Sequence, residues 1–255
     1  MEFVHDDIRL TYPTRLAEIT LGQRIDFHEQ YGREIVSRRE LAQKQTDTAV
    51  RELSDTKTDV LEAVYAFSFF ANFSLHRVQR ELTIDHVITV YENGLRAAIY
   101  GEEQIAIRKD WEWQGSTWTI ALTTLSPTSG FTFNELITSK ELVRQMEKGG
   151  ASTWLVLIHL CAMFFRKEGE GFDERFLEPD GERLRMMRDL PLDMALTVAF
   201  FLSSLMLTSH RPSQYSENLL RKASTWPGTL IDGDGFRFYP TLQKARYLIA
   251  QDLTL

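Results

Sequence analysis

Three apolar runs dominate this chain and dictate where most of it must go: "VLEAVYAFSFFANFSL" (60–75), "STWLVLIHLCAMFF" (152–165) and "PLDMALTVAFFLSSLML" (191–207). A helix that is apolar all round belongs in a large protein core or in a bilayer. Length separates the two. The charge-free part of the third run is about 14 residues, or about 21 Å of helix, against a hydrocarbon layer of about 30 Å. Its flanks do not extend it, with Asp189 and Asp193 on one side and His210 and Arg211 on the other. Glu62 and Asn72 interrupt the first run, and Arg166 ends the second. All three runs read as buried core helices, with no membrane span.

Local signals punctuate the rest. "EFVHDDIRLTYP" reads as a strand pair, and "AIRKDWEWQGSTWTIALTT" as a hairpin about "QGS". "TLGQRIDFHEQYG" opens with Thr20 and Gln23, the spacing of a capping box in which each side chain serves an unpaired backbone N–H. "FTFNELITSKELVRQMEKGG" repeats the device with Thr132 and Glu135, adds a Phe131–Leu136 staple, and ends on paired glycines. The charges of residues 33–59 are interspersed, as on an exposed helix or helix pair.

These stretches recur. Ile8, Leu10, Thr20, Gln23 and Ile25 fall on Ile120, Leu122, Thr132, Glu135 and Ile137 at a constant offset of 112. "LTIDHVITV" (82–90) matches "LPLDMALTV" (190–198), and "VYAFSFFANF" corresponds to "LIHLCAMFFR". Three matches in one order point to an internal duplication. The expected fold is helix-rich α+β. It comprises a first pseudo-repeat (1–103) with a polar helical insertion at 33–59, a second pseudo-repeat (104–209), and a C-terminal arm (210–255). In each repeat a short strand pair precedes a capped helix and apolar helices. The arm reads as a linker, a hairpin around residues 232–235 and a closing helix.

Composition excludes several roles. Net charge is −7, so no overall positive field exists to hold a polyphosphate backbone, and no direct reading of nucleic acid is expected. Cys161 is the single cysteine, which rules out an intrachain disulfide and a cysteine-cluster zinc site. The acids of "MEFVHDDIRL" occupy the place where a signal peptide carries positive charge, so no export signal is expected. His159 and Cys161, two apart on a helix, point about 200° from each other and read as packing. "HDD" at 5–7 lacks a companion cluster of metal ligands. "EGEGFDERFLEPDGER" (168–183) has interleaved arginines and reads as a solvated loop, and "DGDG" (232–235) as a turn. No nucleotide, hydrolase or metalloprotease motif occurs. Accordingly no catalytic, cofactor-binding or metal-binding residue is assigned.

Trp111, Trp113 and Trp118 share one hairpin, where they either cover the helices beneath or anchor a protein interface. With Tyr215, Trp226, Phe236, Phe238 and Tyr239 of the arm, they are the candidate contact residues.

The strand pair followed by "TLGQ" or "TFNE", with "RDLPLDMALTVAFFLSSLM" near the end, resembles virion and tail-morphogenesis proteins of tailed bacteriophages of Bacteroidetes hosts, including crAss-like ones. The resemblance covers residues 8–208 as a pattern and is most specific at 190–201 with Thr20–Gln23 and Thr132–Glu135. It implies a non-enzymatic structural component of the neck, tail or internal cargo. Its partners would be other virion proteins or copies of itself, first in the host cytoplasm and then in the virion. A tail assembly chaperone is the alternative within that resemblance. Outside it stand a soluble intracellular enzyme with a site built from distant residues, and an adaptor that binds through the 33–59 region.

Overall fold

The structure is a computed structural model that describes residues 1–101, 105, 108, 110–121 and 133–208. The chain divides after Gln104 into two compact units. It is a helix-rich α+β protein with two small antiparallel sheets.

Unit 1 opens with the hairpin β1 (Glu2–His5) and β2 (Ile8–Thr11). Asp6 turns the chain at φ 50°, a left-handed conformation that aspartate tolerates better than most residues. The predicted capping box then starts α1 (Leu21–Phe27): the Gln23 N–H donates to Thr20 Oγ1 at 3.1 Å, and the Thr20 N–H donates to Gln23 Oε1 at 2.9 Å. A π turn (His28–Gly32) carries that helix into α2 (Arg33–Gln43). Asp47 caps α3 (Thr48–Phe70), which packs back along α2. Residues 33–59 therefore form the expected helix pair. The first apolar run supplies the core half of α3, and Asn72 at φ 50° ends it in a Schellman turn, the Phe73 N–H donating to Ser68 O at 3.0 Å. Next come α4 (Leu75–Glu81), α5 (Ile84–Val90), a second π turn (Tyr91–Leu95) and α6 (Arg96–Tyr100). Leu16, Ile19, Leu21, Ile25, Phe67, Leu95 and Ile99 are fully buried between these elements.

Unit 2 begins with the expected hairpin, β3 (Asp110–Trp113) and β4 (Ser116–Ile120), turning through Gln114 and Gly115, both at positive φ. Positive φ at both central residues matches the right-handed twist of the strands. Next come α7 (Phe133–Lys148), α8 (Thr153–Phe164) and β5 (Phe165–Lys167), which pairs with β4. Gly150, at φ 69°, closes α7: the Ala151 N–H donates to Met146 O across the turn. The short α9 (Glu182–Arg188) leads to α10 (Leu192–Thr208), which packs on α8. Helices α8 and α10 are the second and third apolar runs; α8 is largely buried, and so is α10 over residues 192–202. Among the described residues, no helix is long and apolar enough to cross a membrane.

Both units open on a hairpin and continue into helices, α1 to α6 in unit 1 and α7 to α10 in unit 2, where β5 follows α8. Helices α1 and α7 start 112 residues apart, but the hairpin turns and the starts of α5 and α10 are each 108 apart. The gapless alignment that matches α1 with α7 therefore mismatches the strands: Ile8 opens β2, whereas Ile120 closes β4. The cause is a longer segment between hairpin and helix in unit 2. Phe131, Thr132, the 232–235 hairpin and the 210–255 arm lie outside the described residues, as do Tyr215, Trp226, Phe236, Phe238 and Tyr239.

Candidate functional site

The most concentrated chemistry of unit 1 gathers around Glu62, a carboxylate buried on α3 within the first apolar run. A buried charge needs partners, and here the fold brings them from three other segments. Arg39 on α2 donates to Glu62 Oε2 at 2.5 Å and to Asp59 at 3.0 Å. The Tyr91 hydroxyl, on the second π turn, donates to Glu62 Oε1 at 3.1 Å, and the Tyr100 hydroxyl on α6 donates to the same oxygen. Arg24 on α1 lies 5.6 Å from the Tyr100 ring centroid. Tyr91 and Tyr100 are nine residues apart, which on a regular α-helix sets them about 180° apart. The wider π turn between them reduces that angle and lets both reach one oxygen.

Burial, then the charge of Glu62, pushes both tyrosine hydroxyls well above the ordinary tyrosine range. They are therefore donors at any physiological pH and not bases. Burial lowers the Arg39 guanidinium, but its bond to Glu62 and the charges of Glu62 and Asp59 outweigh that and raise it overall. Both oxygens of Glu62 are engaged. The arrangement is a brace that ties α2, α3, the π turn and α6 together. A second layer lies beside it. Tyr31 of the first π turn stacks on Tyr65 of α3 at 4.3 Å between ring centroids, and the Tyr65 hydroxyl donates to Glu34 at 2.7 Å. Burial and Glu34 push Tyr65 up to about 12.

Among the described residues, unit 2 holds two buried arginines. Arg166 of β5 donates to Glu135 of α7 at 2.6 Å, with both side chains 3% exposed. Arg183 of α9 lies between the rings of Trp118 (4.7 Å) and Phe176 (4.6 Å) and donates to Phe165 O at 2.7 Å and to Glu170 at 3.1 Å. The 168–183 stretch is otherwise mostly at the surface, so Arg183 is the departure from its reading as a solvated loop.

The remaining expectations fall as follows. Trp118 is fully buried in unit 2, stacked 5.4 Å from Phe165, and Trp111 pairs across the strands with it at 8% exposure. Both thus pack within their own unit. Trp113 is half-buried, 5.0 Å from the Trp118 ring. His159 Nδ1 lies 2.7 Å from Leu155 O on its own helix, while Cys161 is fully buried and its thiol is pushed up by burial. Among the described residues, no three of His, Cys, Asp and Glu gather where they could hold a metal ion.

Neither Arg39 nor the tyrosines carried a motif, and Glu62 lies 29 and 38 residues from its tyrosine partners. The one available signal was a lone carboxylate inside an apolar run. Comparison of the chain with protein-family models, with curated proteins and with solved structures finds no match.

Proposed function

We propose that this chain is a non-enzymatic structural component of a tailed-phage particle, in the neck, tail or internal cargo, or a chaperone of its assembly. It acts through contacts with other virion proteins or copies of itself. We also read the shared element order of the two units as a duplication. One observation carries the contact reading: the free end of the α2–α3 helix pair. Every residue from 43 to 53 is exposed, and Leu41, Val50 and Leu53 stand 57, 45 and 56% exposed there. Large apolar side chains held out on a capped helical tip, away from the core, suit a protein contact. The closed bracing around Glu62 supports the same reading, since it stiffens the base of that tip without leaving a carboxylate oxygen for substrate.

The test is incorporation. Particles and assembly intermediates are purified from infected cells expressing the chain or the L41D/V50D/L53D variant, and the chain is quantified in each by mass spectrometry. Structural use predicts the chain in particles and its loss with the variant; chaperone use predicts the same contrast in the intermediates alone. A chain absent from both fractions refutes the proposal, and unchanged incorporation of the variant refutes the assignment of the tip.

A further inference from the structure

The N-terminal hairpin is a two-stranded sheet, and among the described residues no third strand joins it. Its register decides which backbone groups are left over. The Tyr12 N–H donates to Met1 O at 2.9 Å, and the Met1 amine donates back to Tyr12 O. Bonded positions alternate along an antiparallel ladder, so Leu10 and Ile8 also bond to β1, while the N–H and C=O of Arg9 and Thr11 point out of the sheet edge. Arg9 and Thr11 are exposed, and no backbone group among the described residues pairs with theirs. The hairpin of unit 2 has the same two-residue turn and the same alternation, but its edge is filled. Thr117 O accepts the Glu168 N–H at 3.0 Å, and Thr119 pairs with Arg166, so β5 occupies on β4 the positions that stand open on β2.

We propose that the β2 edge takes its third strand from a second copy of this chain, two hairpins joining antiparallel about a twofold axis through Leu10 into one continuous sheet. The sequence of β2 is self-complementary in that register. Arg9 stands opposite Thr11 of the second copy and exchanges two hydrogen bonds with it, and the twofold repeats the exchange. Leu10 meets Leu10 and Ile8 meets Tyr12, which continues the apolar face that Phe3 presents to Phe67 at 5.9 Å. On the outer face, Thr11 pairs with Glu2 within its own hairpin. Arg9 of one copy therefore shares a row with Thr11 and Glu2 of the other. The arginine reaches that carboxylate across the short threonine, over about 10 Å between strand axes. A twofold through Arg9 instead would set two guanidinium groups opposite each other, which like charges oppose. An exposed, unbroken edge is a template for a strand of another chain. This edge is separate from the helical tip: it lies at the Phe67 end of α3, about 25 Å along the helix from Val50.

The test is residue-resolved amide hydrogen exchange on the whole chain at about 1 μM and about 200 μM, a range that brackets a small interface, with sedimentation velocity to count copies. The Arg9 and Thr11 amides should be unprotected in the monomer and protected about tenfold where nine chains in ten are dimeric. Ile8 and Leu10, bonded within the hairpin, should stay protected throughout. Thr11→Pro removes half of the bonds between copies and spares the β1 ladder, so it should leave a monomer with Ile8 and Leu10 still protected. Arg9→Glu turns both attractive rows repulsive and should weaken association about tenfold; adding Glu2→Arg restores opposite charges and should recover it. Arg9 and Thr11 amides that exchange freely in a dimer, or are protected in a monomer, overturn the proposal. So does a chain that stays monomeric at both concentrations, or a dimer that Thr11→Pro and Arg9→Glu leave unchanged.

Discussion

Replacing Glu62 with alanine removes the acceptor around which α2, α3, the π turn and α6 converge. The loss of a charge-assisted bond to Arg39 costs about 1.5–3 kcal/mol, and leaving the buried Tyr91 hydroxyl unpaired adds about 1–3 kcal/mol. The Tyr100 hydroxyl loses the same acceptor, but its side chain is partly exposed and can turn toward solvent, so it adds less. Arg39 keeps Asp59 and is about a third exposed, so its stranded charge is largely screened. The expected total is about 3–5 kcal/mol, the range for breaking a buried ion pair from one side. Glu62→Gln keeps a carbonyl oxygen for the tyrosines but turns an NH2 donor toward Arg39 in place of the accepting oxygen, so it should cost about 1.5–3 kcal/mol. The triple variant Glu62→Leu, Tyr91→Phe, Tyr100→Phe should recover much of the alanine loss, because both tyrosine hydroxyls go together with their acceptor while Arg39 keeps Asp59. Urea denaturation followed by far-UV circular dichroism reads this out; unit 1 contains no tryptophan, so tryptophan fluorescence would report on the wrong unit. A Glu62→Ala cost below about 1 kcal/mol, or equal costs for alanine and glutamine, would refute the bracing role.

Two further outcomes follow from single contacts. Gly94 lies where an added Cβ would come within 2.7 Å of Thr14 Cγ2 and 2.8 Å of Tyr12 Cε2, so Gly94→Ala should destabilise by about 1–3 kcal/mol in thermal or urea unfolding. Burial holds the Asp193 carboxyl above the ordinary carboxylate range, against the hydrogen bonds and the Arg108 charge that lower it. A carboxyl raised in the folded state contributes stability below its unfolded value of about 3.9, and that contribution is lost as pH rises through the folded value. Asp193→Asn should therefore flatten the stability profile in that acid window without lowering stability at pH 7. An unchanged slope in urea unfolding across pH 3.5–7 would contradict the assignment.

How much was legible in the sequence depended on whether the signal was local. The hairpins, the Thr20–Gln23 box, the glycine stop after α7 and the burial of α8 and α10 each follow from residues within a few positions of one another, and the structure contains all of them. The tryptophan hairpin left two readings open, and its packing was not legible locally: Trp118 lies between Phe165 and Arg183, the latter 65 residues further along the chain. The Glu62 brace was invisible for the opposite reason. Its members are held apart by whole helices, and their meeting depends on two π turns whose sequences, "HEQYG" and "YENGL", break no hydrophobic period. Glu62 and Arg166 did stand out as charges in or beside apolar runs, and both proved to be half of an ion pair.

The two π turns also set how this protein tolerates change in length. From Leu21 to Gln43 the chain is helical throughout, with one wide turn between the buried face of α1 and the Arg39 that α2 aims at Glu62. Removing one residue from that wide turn would restore a regular α turn, whose four residues rotate the chain about as far as the five of the π turn, so α2 would keep its direction. Removing one between Arg33 and Arg38, where no wide turn absorbs the change, would rotate what lies beyond by about 100° about the axis. Arg39 would then swing away from its carboxylate while the strand pair, the caps and the composition stayed as they are. The fold of unit 1 is thus keyed by phase more than by length: a deletion within 33–38 should be far more damaging than one in the wide turn or among the exposed residues 44–47 between α2 and α3.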